Sequence, residues 1–372
     1  MNSKLSLLKE RLAEIAYENR MVFMEVCGTH TVSIFRTGLR SILPSNIKLL
    51  SGPGCPVCVT DQKDIDSILS VFENTNERIT IAAYGDIMRV PGSVINKKSL
   101  SPPESRVKSS LADLRSGGAD VRVITSAIQC IDIAENVNNQ VIFWGIGFET
   151  TSPATAILIK EAAKRNIKNL SVYSVHKTIP HALETLVSSD AGMANINGFI
   201  LPGNVSVLIG EKPYQFLPNE YNKACVIAGF DAESIISAVI ELARQTKFKS
   251  PEVVNFYKEA VNTGGNPHAI KIMYEVFEPC DAEWRGLGLI KNSGLRIRKE
   301  YQDFDAQKRF SMSKVEAQTT ECECGKVLLG TIIPPECKLF GASCTPASPV
   351  GACMVSGEGT CGAWYRWNKN IL

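Results

Sequence analysis

The sequence predicts an α/β protein with two related parallel-sheet, Rossmann-like domains and a helical or irregular C-terminal region. Three observations point there. Eight short apolar runs lack the polar alternation of a half-solvated strand, as expected for strands buried on both faces of a parallel sheet. Helical patterns fall between most of them, which is the signature of crossover units. After about residue 245 that alternation stops, and Gly- and Cys-rich sequence follows.

The elements follow in chain order. Leu5, Leu8, Leu12 and Ile15 recur at helical spacing among charges, so residues 1–20 read as an amphipathic helix and not a signal peptide. The runs MVFMEV (21–26), IKLL (47–50), RITIAAY (78–84) and VRVIT (121–125) supply the strands of a first α/β domain, residues 21–135. VIFWGI (141–146), LSVYSV (170–175), GFILP (198–202) and ACVIAG (224–229) supply those of a second, residues 136–245, with the break at NVNNQ (136–140). Ile65, Ile68, Leu69 and Phe72 mark one face of a helix over 61–73. Ser152–Pro153 and Ser250–Pro251 each set a capping residue before a proline, a helix-start signal. Asp231 is placed to cap AESIISAVIELARQ. Residues 246–372 form the third region.

Composition bounds the function. A chain of 372 residues is long for one domain, and 44% apolar with 21% charged residues is ordinary globular usage. The net charge of +2, with no block of like charge, gives no support for a nucleic-acid or membrane-surface partner. No apolar run approaches the ~20 residues of a membrane helix, so a soluble, cytoplasmic protein is expected. Cysteine is the outlier, with 12 in the chain. In a reducing cytosol, clustered cysteines point to metal or redox chemistry. Cys130, Cys225 and Cys280 stand apart and read as buried structural thiols.

The unusual residues sit after the apolar runs, at the carboxyl ends of parallel strands, where open α/β sheets bind ligands. CGTH follows the first run, GPGCPVC the second, GFETTSP the fifth, HKT the sixth and GNVS the seventh. Cys27 opens a helix, whose N–H groups and dipole favour a thiolate, both a nucleophile and a soft metal ligand. His30, three residues on, can hydrogen-bond or ligate; the bland reading is a buried thiol beside a capping threonine. Cys55 and Cys58 have C-x-x-C spacing, which suits a reversible disulfide or two ligands on one metal. With only four histidines and no regular C-x-x-C…H array, the redox pair is favoured over a closed zinc site. Glu149 precedes a helix start where Thr150, Thr151 and Ser152 compete as caps. His176 and His181 read as structural or surface residues.

Six of the 12 cysteines lie between Cys322 and Cys361. From Cys324, 12 residues intervene before Cys337, six before Cys344 and 16 before Cys361. Four thiolates with scarce histidine suit an iron–sulfur cluster or a zinc site of four cysteines. The lack of C-x-x-C knuckles in this region tilts the reading to the cluster.

Together, CGTH, GPGCPVC, GFETT and the C-x12-C-x6-C-x16-C tail resemble the HypD family of nickel–iron hydrogenase maturation, over about residues 20–365. The resemblance implies a 4Fe-4S cluster on Cys324, Cys337, Cys344 and Cys361 in the third domain. It implies that Cys27 holds the Fe(II) that becomes the hydrogenase Fe(CN)2CO centre, an iron shared with the small partner HypC. It implies HypE as the cyanide donor, and Cys55/Cys58 as a pair exchanging electrons with the cluster. His30 would partner Cys27, and Glu149 and Asn204 would be supports or partner contacts. The implied role is a redox-active assembly scaffold rather than a conventional turnover enzyme. Cys322 and Cys353 receive no role. A cluster-dependent oxidoreductase acting on protein disulfides, using Cys55/Cys58 without Cys27, and a zinc-stabilised binding module both stay open.

Overall fold

The computed structural model describes residues 3–16, 20–73, 75, 77–93, 110–188, 195–310, 312 and 321–367. Eleven strands run β1 (Met21–Glu25), β2 (Ile47–Ser51), β3 (Ile79–Tyr84), β4 (Asp120–Ile124), β5 (Gln140–Gly145), β6 (Leu170–Ser174), β7 (Gly198–Leu201), β8 (Ala224–Ile227), β9 (Val253–Asn255), β10 (Phe277–Trp284) and β11 (Gly288–Ile297). The first nine form two all-parallel sheets, ordered β2-β1-β7-β8-β9 and β4-β3-β5-β6. The eight expected strands are all present, and the α/β class holds.

How the strands divide differs from the expected split at 136–140. The chain lays down β1 and β2, leaves to build the whole second sheet from β3 to β6, and returns with β7 against the open edge of β1, Phe23 opposite Gly198. Apolar periodicity identifies strands but not their neighbours, so it could not reveal the return. The two sheets share one pattern: the second strand flanks the first, and the third and fourth continue on the first strand's other side. Each sheet therefore has a topological switch point, between β1 and β7 in one and between β3 and β5 in the other.

Ser250–Pro251 does not start a helix. Lys249 ends the helix Ala232–Phe248 in the left-handed region (φ 51), and Ser250 N–H turns back to Gln245 O, so the chain bends straight into β9. The fifth strand of the first sheet thus falls in the stretch assigned to the third region. That region also holds an antiparallel hairpin, β10–β11, bulged between Cys280 and Ala282. The other helix signals stand: Asp231 accepts Ser234 N–H at the head of Ala232–Phe248, and Asp61 caps Gln62–Leu69. Pro153 lies in the first turn of Ser152–Lys164, with Thr151 at the cap position.

The N-terminal helix Ser3–Ala16 packs on Ala232–Phe248 over one face of the first sheet, with Leu12 buried and Leu8 and Ile15 half-buried; the side chain of Leu5 lies outside the described residues. One continuous buried cluster runs from β1, β3, β5 and β7 through Cys55 and Cys58 to Val327, Leu328 and the C-terminal cysteines. No described helix is long and apolar enough to cross a membrane. Phe199, fully buried on the returning strand β7, tests this packing. Phe199→Ala is expected to lower stability by about 3–5 kcal/mol in urea unfolding, and Phe199→Leu by less.

Candidate functional site

The two switch points face one another across a cleft of about 640 Å³. Val26, Cys27 and Thr29 follow β1, and Pro202, Asn204 and Leu208 follow β7. From the other sheet come Tyr84 at the end of β3, Asp86 and Ile87 just after it, and Gly147, Phe148, Thr150 and Thr151 after β5. Gly54, Pro56 and Val57 of the GPGCPVC loop and Glu358 of the C-terminal region complete the wall. Cys27 and Asn204 thus reach one site, as their strand-end positions predicted.

Cys27 is the residue before the helix Gly28–Arg36 and is buried. The expected thiolate is not what its surroundings favour in the free protein. Burial pushes the thiol up to about 12, against the pull of the His30 and Thr29 N–H groups. Loss of water outweighs the end of a nine-residue helix. Gly28 N–H donates to Gly54 O at 2.9 Å, and a Cβ on Gly54 would lie 2.2 Å from Cys27 N. The two thiol loops therefore touch through backbone.

His30 is placed behind this wall. Its Nε2–H donates to Gly229 O at 3.0 Å and its ring packs 4.8 Å from Phe230. Burial lowers its pKa to about 4, so the imidazole is neutral, and Nδ1 is buried without a partner. It does not line the cleft. Glu149 also faces elsewhere, into a neighbouring pocket of about 350 Å³ with Thr178, His181 and Glu184. Its Oε1 accepts Ile179 N–H at 3.0 Å, Oε2 has no partner, and burial raises its pKa to about 7. The GFETT loop serves the cleft through the residues on either side of Glu149. His176 is a satisfied core histidine, between Thr155 Oγ1 and Ser174 Oγ, and His181 contacts Thr178. Cys130 and Cys225 are buried as expected, whereas Cys280 is only half-buried on the hairpin.

Cys55 and Cys58 form a disulfide with Cα atoms 5.2 Å apart, both buried, at the head of the helix Pro56–Val59. The hairpin clamps that helix. Arg285 N–H reaches Val59 O at 2.9 Å, and its side chain reaches Thr60 O and Gln62 Oε1. The short helices Cys324–Leu328 and Ala352–Val355 pack against it from the C-terminal side.

Cys324, Cys337, Cys344 and Cys361 line one apolar pocket with Val327, Leu339, Phe340 and Met354. Cys322 and Cys353, which the sequence left without a role, line it too. The Cys322 thiol leans on Cys324 and the Cys361 thiol on Cys353, lowering the pKa of each acceptor. Among the described residues no three Cys, His, Asp or Glu side chains close to the span of a single metal ion.

Two carboxylates escaped the sequence reading. Glu25, at the end of an otherwise apolar run, is fully buried beside Cys27. It accepts Cys27 N–H at 3.2 Å and Thr31 O–H at 2.5 Å, and burial raises its pKa to about 7. Arg40 offsets that charge while bonding Leu49 O and lying against the rings of both Phe35 and Trp364, which touch each other. Glu358 reaches from the C-terminal region to accept Thr29 O–H at 2.7 Å, over Gly28. An acidic residue closing an apolar strand was the available signal for Glu25; Glu358 carried none beyond lying near Cys361.

The hydrogenase formation family model, HypD, matches residues 3–368 of this chain. Hydrogenase maturation factor HypD2 of Bradyrhizobium diazoefficiens is 40% identical over 372 residues, covering 98% of this chain and 94% of that protein. HypD of Cupriavidus necator is 40% identical over 364 residues, covering 96% and 92%, and HypD of Escherichia coli is 36% identical over 370, covering 97% and 94%.

Two outcomes follow from this geometry. Gly54→Ala is expected to overpack the Cys27 backbone at a cost of about 1–3 kcal/mol, read by urea unfolding. Glu149 makes a pH test. Its native carboxyl keeps a proton that the unfolded chain releases above the ordinary 4.5, so the stability that Glu149 itself contributes falls as pH rises towards 7 and levels off beyond. Glu149→Gln removes this slope and should gain up to about 3 kcal/mol relative to wild type between pH 4.5 and 7.

Proposed function

The chain belongs to the HypD family of hydrogenase maturation factors, and from that premise we propose that its cleft is where the Fe(CN)2CO group of nickel–iron hydrogenase is assembled. The observation carrying this reading is the single cleft, at two facing switch points, that presents the Cys27 thiol beside the loop of the Cys55–Cys58 pair.

Iron is the cargo. Cys27 would bind Fe(II) together with a cysteine of HypC, the partner proposed to cover the cleft mouth. Binding requires the buried thiol to lose its proton, which iron drives by taking the place of water as the thiolate's partner. Glu25 holds the Cys27 amide in place, and Thr29 and Glu358 fix the first turn of the helix. His30, neutral and tied to Gly229, orients that turn from behind rather than from within the cleft. Asn204 stands at the cleft edge as a partner contact, with HypE as the proposed source of cyanide. A thiolate supplies the soft, electron-rich site that cyanide- and CO-bearing iron prefers. Glu149, in its separate pocket, would support the loop rather than touch the iron.

The C-terminal pocket suits a 4Fe-4S cluster. Its donors are all thiols, its walls are apolar, and a polynuclear cluster holds its thiolates farther apart than one ion does. Cys324, Cys337, Cys344 and Cys361 would hold it, and when bound it supplies electrons. The Cys55–Cys58 pair, packed between this pocket and the cleft, would act as the dithiol/disulfide. A cytoplasmic location accords with this role.

The test begins with anaerobically purified protein. Absorbance near ~400 nm with about four irons and matching sulfide per chain is expected. A complex with HypC should then show cyanide and CO stretches in the infrared, lost in Cys27→Ala. A Cys27→Ala chain that still supports active nickel–iron hydrogenase in cells would overturn the proposal and favour a thiol–disulfide oxidoreductase.

A further inference from the structure

The stretch from Cys353 to Glu358 touches three places at once. Cys353 lines the thiol pocket, Ser356 lies on Cys55, and Glu358 lies on Thr29 at the cleft. Ser356 is the middle contact. It is 1% exposed, and its Oγ is 3.3 Å from Cys55 Sγ.

The direction of this hydrogen bond is settled by its neighbours. Glu358 N–H donates to Ser356 Oγ at 3.2 Å, and a disulfide sulfur has no hydrogen, so the serine O–H donates to Cys55. The serine backbone is held as well: its N–H reaches Ala352 O and its carbonyl accepts Gly359 N–H, both at 3.1 Å. The hydroxyl is therefore aimed rather than free to follow solvent. Cys55 Sγ accepts a second donor, Cys58 N–H, at 3.2 Å. Both donors converge on the same sulfur of the pair.

We propose that Ser356 is a positioning residue for the redox pair, making Cys55 the sulfur that carries the thiolate on reduction and raising the pair's reduction potential. This rests on the reading of Cys55–Cys58 as a working dithiol/disulfide. Two electrons and one proton break the Sγ–Sγ bond and leave a Cys55 thiolate and a Cys58 thiol. A dithiol reductant supplies both, closing to its own disulfide and releasing its second proton. A hydrogen bond to the thiolate is stronger than one to the neutral disulfide, so the serine stabilises the reduced form more than the oxidised one.

The experiment equilibrates the full chain, anaerobically, in mixtures of reduced and oxidised dithiothreitol. Rapid alkylation then fixes the reduced fraction, read by mass spectrometry on the tryptic peptide 49–63. Ser356→Ala is expected to lower the equilibrium constant for reduction about tenfold, a shift of ~30 mV to more negative potential. Ser356→Thr, which keeps the hydroxyl, should stay within about twofold of wild type. A reversible wild-type pair with an unchanged potential in Ser356→Ala would overturn this inference alone. A wild-type pair that does not cycle between the two states would overturn the redox reading of Cys55–Cys58 and this inference with it. If Ser356→Ala does not fold, Ser356→Gly removes the same hydroxyl and carries the same expectation.

Discussion

Cys27 and the GPGCPVC loop meet backbone to backbone, because Gly54 has no Cβ to hold them apart. Gly28 N–H closes on Gly54 O, and the Cys27 amide lies where a side chain on Gly54 would stand. Without that approach, the first two loops of the first sheet would splay and the cleft would lose its floor. The C-terminal region depends on the same contact from outside. Glu358 covers Gly28, Ser356 covers Cys55, and the helix Thr360–Trp367 packs along Gly28–Arg36. Two glycines thus let three parts of the chain share one small volume.

The chemistry of that volume is set by exclusion of water. Burial raises the Cys27 thiol and the Glu25 carboxyl and lowers His30, so in the free protein the thiol and the imidazole favour their neutral forms, while Arg40 pulls Glu25 back towards its charged one. Arg40 keeps its charge beside them, a half-buried arginine fixed by Leu49 O and Ser51 Oγ and packed against Trp364. It ties the strand ends of the first sheet to the C-terminal helix, so the cleft and the thiol pocket are braced by a common residue.

Much of this was legible in the sequence. Apolar runs marked all eight expected strands, because strands buried on both faces leave little room for polar residues. The strand-end positions of CGTH and GNVS led to the cleft for a topological reason that requires no side-chain detail. What the sequence concealed was pairing and direction. Nothing in the β7 run says that it returns to β1, and nothing in GFETT says that Glu149 turns from the cleft its neighbours line. Ser250–Pro251 imitates a helix start because its signal is local, while the left-handed Lys249 before it answers to the packing of β9. The helix-end argument for Cys27 likewise left out burial, since desolvation is a property of the assembled site.

The detour between β2 and β7 also bears on how the molecule is made. The second sheet is contiguous in the chain, so a ribosome delivers all of its strands together and it can fold as a unit. The first sheet must wait, with β1 paired to β2 alone, until β7 to β9 emerge. Cys27 therefore stays without its far wall until the second sheet and β7 have been made, and Glu358 follows later still. The Cys27 thiol is thus enclosed only once Glu358, 329 residues beyond the Thr29 hydroxyl that it accepts, has docked.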